Sequence, residues 1–225
     1  MNWTEILRFA HGPLLHISMI IFVAGMSYRL FRVILLGWER DRAPNKGSKF
    51  KGVIINYLKG LIILPFIPWV SRTFRRNELT FIAGGLFHLS LFIVLTFDAA
   101  HILVWKSLFG VSWKSLPTPM MAFFSSVGII SLIILLINRL THPVLKLITR
   151  APVWINWVVV FLPMITGFLM ARHLWFKYEV IFSLHLISVS LLLIWIPLGR
   201  ISHFLFYFFS KTIHGAQAGK RAIAP

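Results

Sequence analysis

His185 and His203 stand eighteen residues apart in the run LHLISVSLLLIWIPLGRISHF, residues 184–204. At about 100° per residue, that interval returns to the same azimuth on a continuous helix. Both imidazoles would share one stripe, about 27 Å apart along the axis. Nearly everything between them is apolar. Neutral imidazole is a good axial ligand for haem iron, and two of them make a six-coordinate centre suited to electron transfer. One apolar helix with an imidazole near each end therefore suits two haems stacked across a bilayer. Pro197 lies between them and makes the azimuth approximate.

A second apolar run carries a second pair, His88 and His101. The step between these two is thirteen residues, about 140° off-face on an ideal helix, so that run must bend, tilt or sit between haems. Buried polar side chains in lipid need partners, and four histidines on two spans ask for one. The competing reading is that each imidazole hydrogen-bonds to a neighbouring helix. Asp98 is the only acidic residue deep in an apolar run. It reads either as a proton acceptor or as a hydrogen-bonded carboxyl shared with Thr96 or a neighbouring helix.

The elements that must position these residues are membrane helices. The chain has 225 residues, of which 58% are hydrophobic, 15% aromatic and 13% charged, with a mean hydropathy of +0.81. That composition belongs to integral membrane proteins. Five runs, 12–37, 80–106, 119–138, 152–171 and 179–209, are long enough to cross about 30 Å of hydrocarbon. Leu61–Val70, with Pro65 and Pro68, is too short to span and reads as interfacial or re-entrant. The first run lacks a basic preface and a small-residue cleavage site, so it reads as retained.

The formal charge is +17, but the basic residues lie in short loops between apolar runs, which indicates orientation rather than nucleic acid. Segments 38–79, 139–151 and the tail carry fifteen basic residues; the alternate segments carry five, Arg8, Lys106, Lys114, Arg172 and Lys177. The positive-inside rule then places the N-terminus outside and the C-terminus in the cytoplasm. The predicted fold is an all-α integral membrane protein, a single membrane domain of five transmembrane helices. In that orientation His88 and His203 lie toward the cytoplasmic face, and His101 and His185 toward the outer face. With no cysteine, the chain offers no thiolate for an iron–sulfur cluster, no covalent haem attachment and no disulfide.

The fifth run has an HL pair, a long apolar stretch, a proline, a basic residue and a second histidine eighteen residues after the first. It resembles the gamma subunit of respiratory nitrate reductases. It is equally similar to the related cytochrome b subunits of sulfate-reducer and methanogen membrane complexes, membrane heterodisulfide reductase among them. Five spans, an outside N-terminus and histidines on the second and fifth spans extend the likeness over most of the chain. The resemblance implies a dihaem b subunit in a bacterial or archaeal plasma membrane. Such a subunit exchanges electrons between menaquinone or ubiquinone and a cytoplasmic iron–sulfur partner, with further membrane or extracytoplasmic redox subunits in some complexes. His185 and His203 match the fifth-span ligands, and His88, in GGLFHLSLF, matches the first ligand of the second span. The family's next ligand falls ten residues later, where this chain has Asp98; His101 is the nearest substitute. His16 is the alternative ligand or a quinone-site residue.

On this reading quinol binds near His101/His185 and electrons pass to His88/His203, with haem centres about 20 Å apart from the helix rise. Arg200, three residues before His203, faces nearly the same way and suits a haem propionate. Arg29 and Arg32 read as snorkelling cations or propionate partners. The basic loop 38–79 reads as a dock for a soluble partner or for anionic lipid. His11, His142, His173 and His214 read as solvated or interfacial. Trp38, Trp105, Trp113, Trp154 and Trp175 read as interfacial aromatics. The alternatives are a single-haem subunit keeping only His88/His203, a haem-free anchor, and a small transporter with Asp98 and the histidines on a proton path.

Overall fold

A computed structural model describes residues 2–36, 42–64, 67, 69, 74, 75 and 77–223. Trp38, Arg40, Pro65, Pro68, Val70, Arg72 and Arg76, used in the sequence reading, lie outside the described residues. Among the described residues the chain is all helix, with no strand. The helices are α1 (Trp3–Phe9), α2 (Leu15–Leu35), α3 (Lys49–Leu58), α4 (Glu78–Phe97), α5 (Ala99–Phe109) and α6 (Thr118–Thr141). They continue as α7 (Pro143–Ile148), α8 (Ala151–Ala171), α9 (Tyr178–Leu198) and α10 (His203–Lys220). A π-helical turn, Ala10–Leu14, joins α1 to α2, and another, Lys59–Ile63, extends α3.

Five stretches are long and apolar enough to cross a membrane: Trp3–Leu35, Glu78–Phe97, Thr118–Thr141, Ala151–Ala171 and Tyr178–Lys220. Between 11% and 33% of the most apolar window of each is buried within the protein, so most of their Leu, Ile and Phe surface faces outward. Such surface is unfavourable in water and at home in hydrocarbon. The chain is thus built as a multi-pass membrane protein.

Two of the expected spans are broken helices. The run 80–106 ends its first helix at Phe97 and restarts at Ala99. The run 179–209 ends at Leu198, passes through four non-helical residues, and restarts at His203. Pro197 and Gly199 supply the local reason: a proline cannot continue the amide ladder, and glycine readily leaves it. The expectation of one continuous helix carrying both His185 and His203 is therefore corrected. So are the common azimuth and the rise of about 27 Å that one continuous helix would give the two imidazoles, and the shared face of Arg200 and His203. Arg200 lies in the non-helical link.

The chain divides into two compact units, Met1–Ile21 with Glu78–Trp195 and Phe22–Asn77 with Ile196–Pro225. In the first unit α6 is central, packed by α4 on one side and α8 on the other. Phe87, Ile129, Leu132 and Met164 form its buried core. Gly128 permits the close approach: a Cβ there would sit 2.7 Å from Met164 Cε and 3.1 Å from Ser90 Cβ. Asn138 Nδ2 donates to Thr80 Oγ1 at 2.7 Å, and Trp195 Nε1 donates to Asn156 Oδ1 at 2.6 Å, which settles polar groups that lipid would leave unpaired.

In the second unit α3 and α10 run antiparallel in backbone contact. Lys46 and Gly47 amides both donate to the Lys220 carbonyl, at 2.8 and 3.1 Å. Asn56 Nδ2 donates to the Lys211 carbonyl at 2.8 Å, and Tyr57 OH to that of Phe208 at 2.9 Å. Gly52 faces Gly215 and Gly219, and a Cβ on Gly52 would lie 2.5 Å from Gly219 Cα. In the same unit Arg29 of α2 donates to Ser202 Oγ at 2.6 Å and to the Leu198 carbonyl at 3.4 Å. Arg29 therefore serves the break at the end of α9, where a cation meets the negative end of a helix, and is not simply snorkelling.

Two substitutions test these joints. Gly52→Leu should force α3 from α10, with an overpacking cost of about 1–3 kcal/mol, read as a lower thermal midpoint of the detergent-solubilised protein. Arg29→Leu should cost about 1–3 kcal/mol through its lost charged hydrogen bonds. Arg29→Lys, whose single ammonium cannot fork across both acceptors, should fall between it and the parent.

Candidate functional site

A helix that stops inside a membrane leaves four carbonyls without intrahelical donors. At the end of α4 each is met. The Val94 carbonyl accepts the Asp98 amide at 3.1 Å and His101 Nδ1 at 3.0 Å. Leu95 accepts Trp105 Nε1 at 3.2 Å, Thr96 accepts Trp113 Nε1 at 2.9 Å, and Phe97 accepts the Leu116 amide at 3.1 Å. On the other side of the break Asp98 is the N-cap of α5: its backbone is extended, and its Oδ1 accepts the Ala100 amide at 2.9 Å. Asp98 is thus the hinge of the second span. Trp105 and Trp113, read from sequence as interfacial aromatics, are hydrogen-bond donors that complete that hinge.

The break resolves the thirteen-residue step between His88 and His101. It releases His101 from the register of α4 and sets it on the wall of a cavity of about 180 Å³. His185 of α9 and Asp98 line the same cavity, with Arg172 at the end of α8 and apolar walls from Leu91, Met121, Pro163 and Phe168. The carboxylate and the two histidines expected toward one membrane face are therefore gathered at one site. Arg172 was counted in the sequence only as a loop charge. Its position at the C-cap of α8, in the turn that leads to α9, was not legible without the cavity.

The α8 wall is shaped by Pro163, Thr166 and Gly167. Thr166 Oγ1 donates to the Leu162 carbonyl at 2.7 Å and lies 3.1 Å from His185 Nδ1. With its own proton committed to a carbonyl, the threonine oxygen accepts from the imidazole. Gly167 lets the ring lie against the α8 backbone: a Cβ there would stand 3.1 Å from His185 Cε1. Ser188 Oγ, 3.2 Å from Thr166 Oγ1, donates to the His185 carbonyl at 2.7 Å and closes the cluster.

The same chemistry recurs at every candidate histidine. Nδ1 lies against the carbonyl of Val94 in His101 (3.0 Å), of Gly84 in His88 (2.7 Å), of Gly12 in His16 (2.6 Å) and of Arg200 in His203 (3.1 Å). A carbonyl only accepts, so each neutral ring carries its proton on Nδ1 and its lone pair on Nε2. This is the tautomer that ligates a metal through Nε2 while the other nitrogen is held by an outer partner. A haem b iron needs two such atoms. The donor chemistry of His101 and His185, two imidazoles lining one cavity with Nδ1 held and Nε2 left as the ligating atom, is of the kind a haem iron takes. His88, His16 and His203 are exposed and are not among the residues that line the cavity; His88 is on α4, His16 in the first turn of α2 and His203 at the start of α10. Among the described residues no group of three His, Cys, Asp or Glu converges as a multidentate metal site.

A protein of Nitratidesulfovibrio vulgaris strain Hildenborough is 28% identical to this chain over 207 residues, covering 90% of the chain and 89% of the relative. No family model matches the chain. No solved structure matches it.

Thr166→Val should release the His185 proton from its fixed nitrogen. In protein labelled with nitrogen-15 histidine, the parent should show His185 as the Nδ1-protonated tautomer and the variant a mixture of both. Asp98→Ala should cost about 0.5–2 kcal/mol by removing an N-cap, whereas Asp98→Asn, an equally good cap, should leave the thermal midpoint near the parent value.

Proposed function

We propose that this chain is a b-type cytochrome subunit that oxidises or reduces quinone in a bacterial or archaeal plasma membrane and exchanges electrons with a cytoplasmic iron–sulfur partner. The observation that supports it most is the cavity on which His101, His185 and Asp98 meet, with both imidazoles in the tautomer that leaves Nε2 as the ligating atom. His101 and His185 are the proposed axial ligands of one haem b; His88 and His203 are those of a second. Haem, when bound, takes up and passes on single electrons.

The chain's own residues supply the rest. Thr166 and the Val94 carbonyl hold the two imidazoles by Nδ1 and so orient Nε2. Asp98 spends one lone pair of Oδ1 on the Ala100 amide, and a carboxylate has further acceptor positions for the proton of a quinol hydroxyl. Arg172 offers a guanidinium on the same wall to a propionate or to the quinone carbonyl. The apolar walls admit a quinone ring and exclude water. The basic segments support an orientation with the N-terminus outside and the C-terminus in the cytoplasm, in which protons leaving Asp98 are released outside and the transfer is electrogenic.

One observation favours a second reading, a single-haem subunit. His101 and His185 share a cavity that His88 and His203 do not line. A lone haem would then sit at that pair, the reverse of the single-haem alternative drawn from sequence.

Reduced-minus-oxidised spectra with pyridine-haemochrome quantification separate these readings. Two b haems per chain are expected, falling to one in His185→Ala and to one in His203→Ala. One haem lost in His185→Ala and unaffected in His203→Ala establishes the single-haem form. A folded chain without haem overturns the cytochrome reading. Asp98→Asn should keep its haem and its stability yet lose about 10²-fold or more in quinol-driven haem reduction, the usual cost of removing a general base.

A further inference from the structure

The four proposed ligands leave one candidate histidine unused, His16 in the first turn of α2. Any crossing of about 20 residues drawn from the apolar stretch Trp3–Leu35 includes it, so the imidazole lies within the hydrocarbon or at its edge. The side chain is exposed, and an ionisable group exposed to lipid calls for a partner. Among the described residues it has one: Nδ1 lies 2.6 Å from the Gly12 carbonyl, one turn earlier. That carbonyl only accepts, so the neutral ring keeps its proton on Nδ1 and its lone pair on Nε2. His16 Nε2 is therefore a fixed acceptor that no donor among the described residues satisfies.

The backbone next to the ring is open as well. Gly12 and Pro13 fall in the π-helical turn Ala10–Leu14, an irregularity frequent at functional positions in helices. A Cβ on Gly12 would meet no atom within 4 Å, so the packing of the chain itself does not require a glycine there. The missing side chain leaves the helix surface beside the imidazole clear for a flat group arriving from the bilayer. Ile20, one turn beyond His16, and Ile17 are 67% and 52% exposed and give such a group an apolar border. These residues all belong to the first compact unit, and none of them lines the cavity of His101 and His185.

The partner must be flat, apolar and able to donate one hydrogen bond. An acyl chain has no donor, and an ester or phosphodiester would set lone pairs against a lone pair. A hydroquinone ring supplies both the plane and the hydroxyl. Its oxidised form carries only carbonyls, which accept, so the same position distinguishes the two redox states.

We propose that His16 and Gly12 form a docking position for the reduced form of a membrane quinone, with a ring hydroxyl donating to His16 Nε2 and the ring lying over Gly12. Nothing is oxidised or deprotonated there; the contact is a hydrogen bond that favours quinol over quinone. The choice of a quinol rests on the quinone-exchanging reading above, whereas the acceptor and the open surface do not depend on haem.

Nitrogen-15 histidine spectra of the full chain in phosphatidylcholine nanodiscs, kept free of oxygen, test it. The probes are duroquinol, duroquinone and the dimethyl ether of duroquinol, which share one shape and differ in donors. His16→Leu assigns the His16 signals by their loss. Duroquinol should move the Nε2 signal upfield, as a hydrogen bond to its lone pair does, and the quinone and the ether should leave it in place. One net hydrogen bond implies a preference of about 3- to 10-fold, so an equal concentration of duroquinone should not reverse the shift. Gly12→Leu should abolish the response and keep the His16 signal, and His185→Ala should keep the response. No movement with duroquinol, or equal movement with all three probes, overturns the proposal on the parent protein alone. So does an Nε2 already hydrogen-bonded before addition and unmoved by it, which would assign its partner to water or lipid. A full response in folded Gly12→Leu overturns it too. A chain without haem would sink the cytochrome reading and leave this comparison unchanged, and a silent His16 would leave the haem count unchanged.

Discussion

The rest of this structure depends on one requirement: inside a bilayer every backbone amide and carbonyl must find its partner within the protein. An unbroken helix meets it automatically. This chain interrupts two of its spans and has to meet the requirement residue by residue. At Phe97–Ala99 the donors are an aspartate amide, two indoles, an imidazole and a loop amide. At Leu198–His203 they are a guanidinium, a serine hydroxyl and a second imidazole. Each break thus recruits a histidine as well as closing a hydrogen-bond ledger. The recruitment has a chemical consequence, because the carbonyl that accepts from Nδ1 decides where the imidazole lone pair resides. The backbone geometry of the break and the ligating capacity of the ring are one arrangement.

The cavity on α4, α5, α6, α8 and α9 follows from the same logic. Had 80–106 been one helix, His101 would have pointed well away from the face of His88. With Asp98 as N-cap, α5 starts afresh, and its third residue comes to the wall that His185 also lines. On α8, Pro163 removes an amide, Thr166 turns its hydroxyl to the helix carbonyls, and Gly167 leaves the space that the His185 ring occupies. Three successive requirements, a missing donor, a hydroxyl to manage carbonyls and an absent side chain, occur within five residues of sequence.

Which parts were legible in the sequence follows from what each signal averages over. The spans were visible because hydropathy sums about twenty residues, and local irregularity barely changes the sum. The breaks were not, since the apolar count on both sides of Asp98 reads as one continuous run. Asp98 was noticed for its charge and read as chemistry first, although an aspartate immediately before a new helical run is also an N-cap signal. Pro197 followed by Gly199 was a stop signal of the same kind, outweighed by the eighteen-residue spacing of His185 and His203. Trp105 and Trp113 looked like belt aromatics because residue type alone cannot tell an indole facing headgroups from one donating to a helix end. The roles of Arg29 and Arg172 depended on which helix end each would meet, which only the packed helices reveal.

The joint at Asp98 also bears on how the chain fits a bilayer of given thickness. Residues 78–109 as one straight helix would be about 48 Å long, well beyond the about 30 Å of a typical hydrocarbon core. A rigid rod of that length must tilt steeply or thicken the membrane around it. Divided into helices of 20 and 11 residues, the segment can span with the first part and turn the surplus aside with the second. Hydrophobic mismatch is then absorbed at a hydrogen-bonded corner, the same corner that carries Asp98 and His101 into the cavity wall.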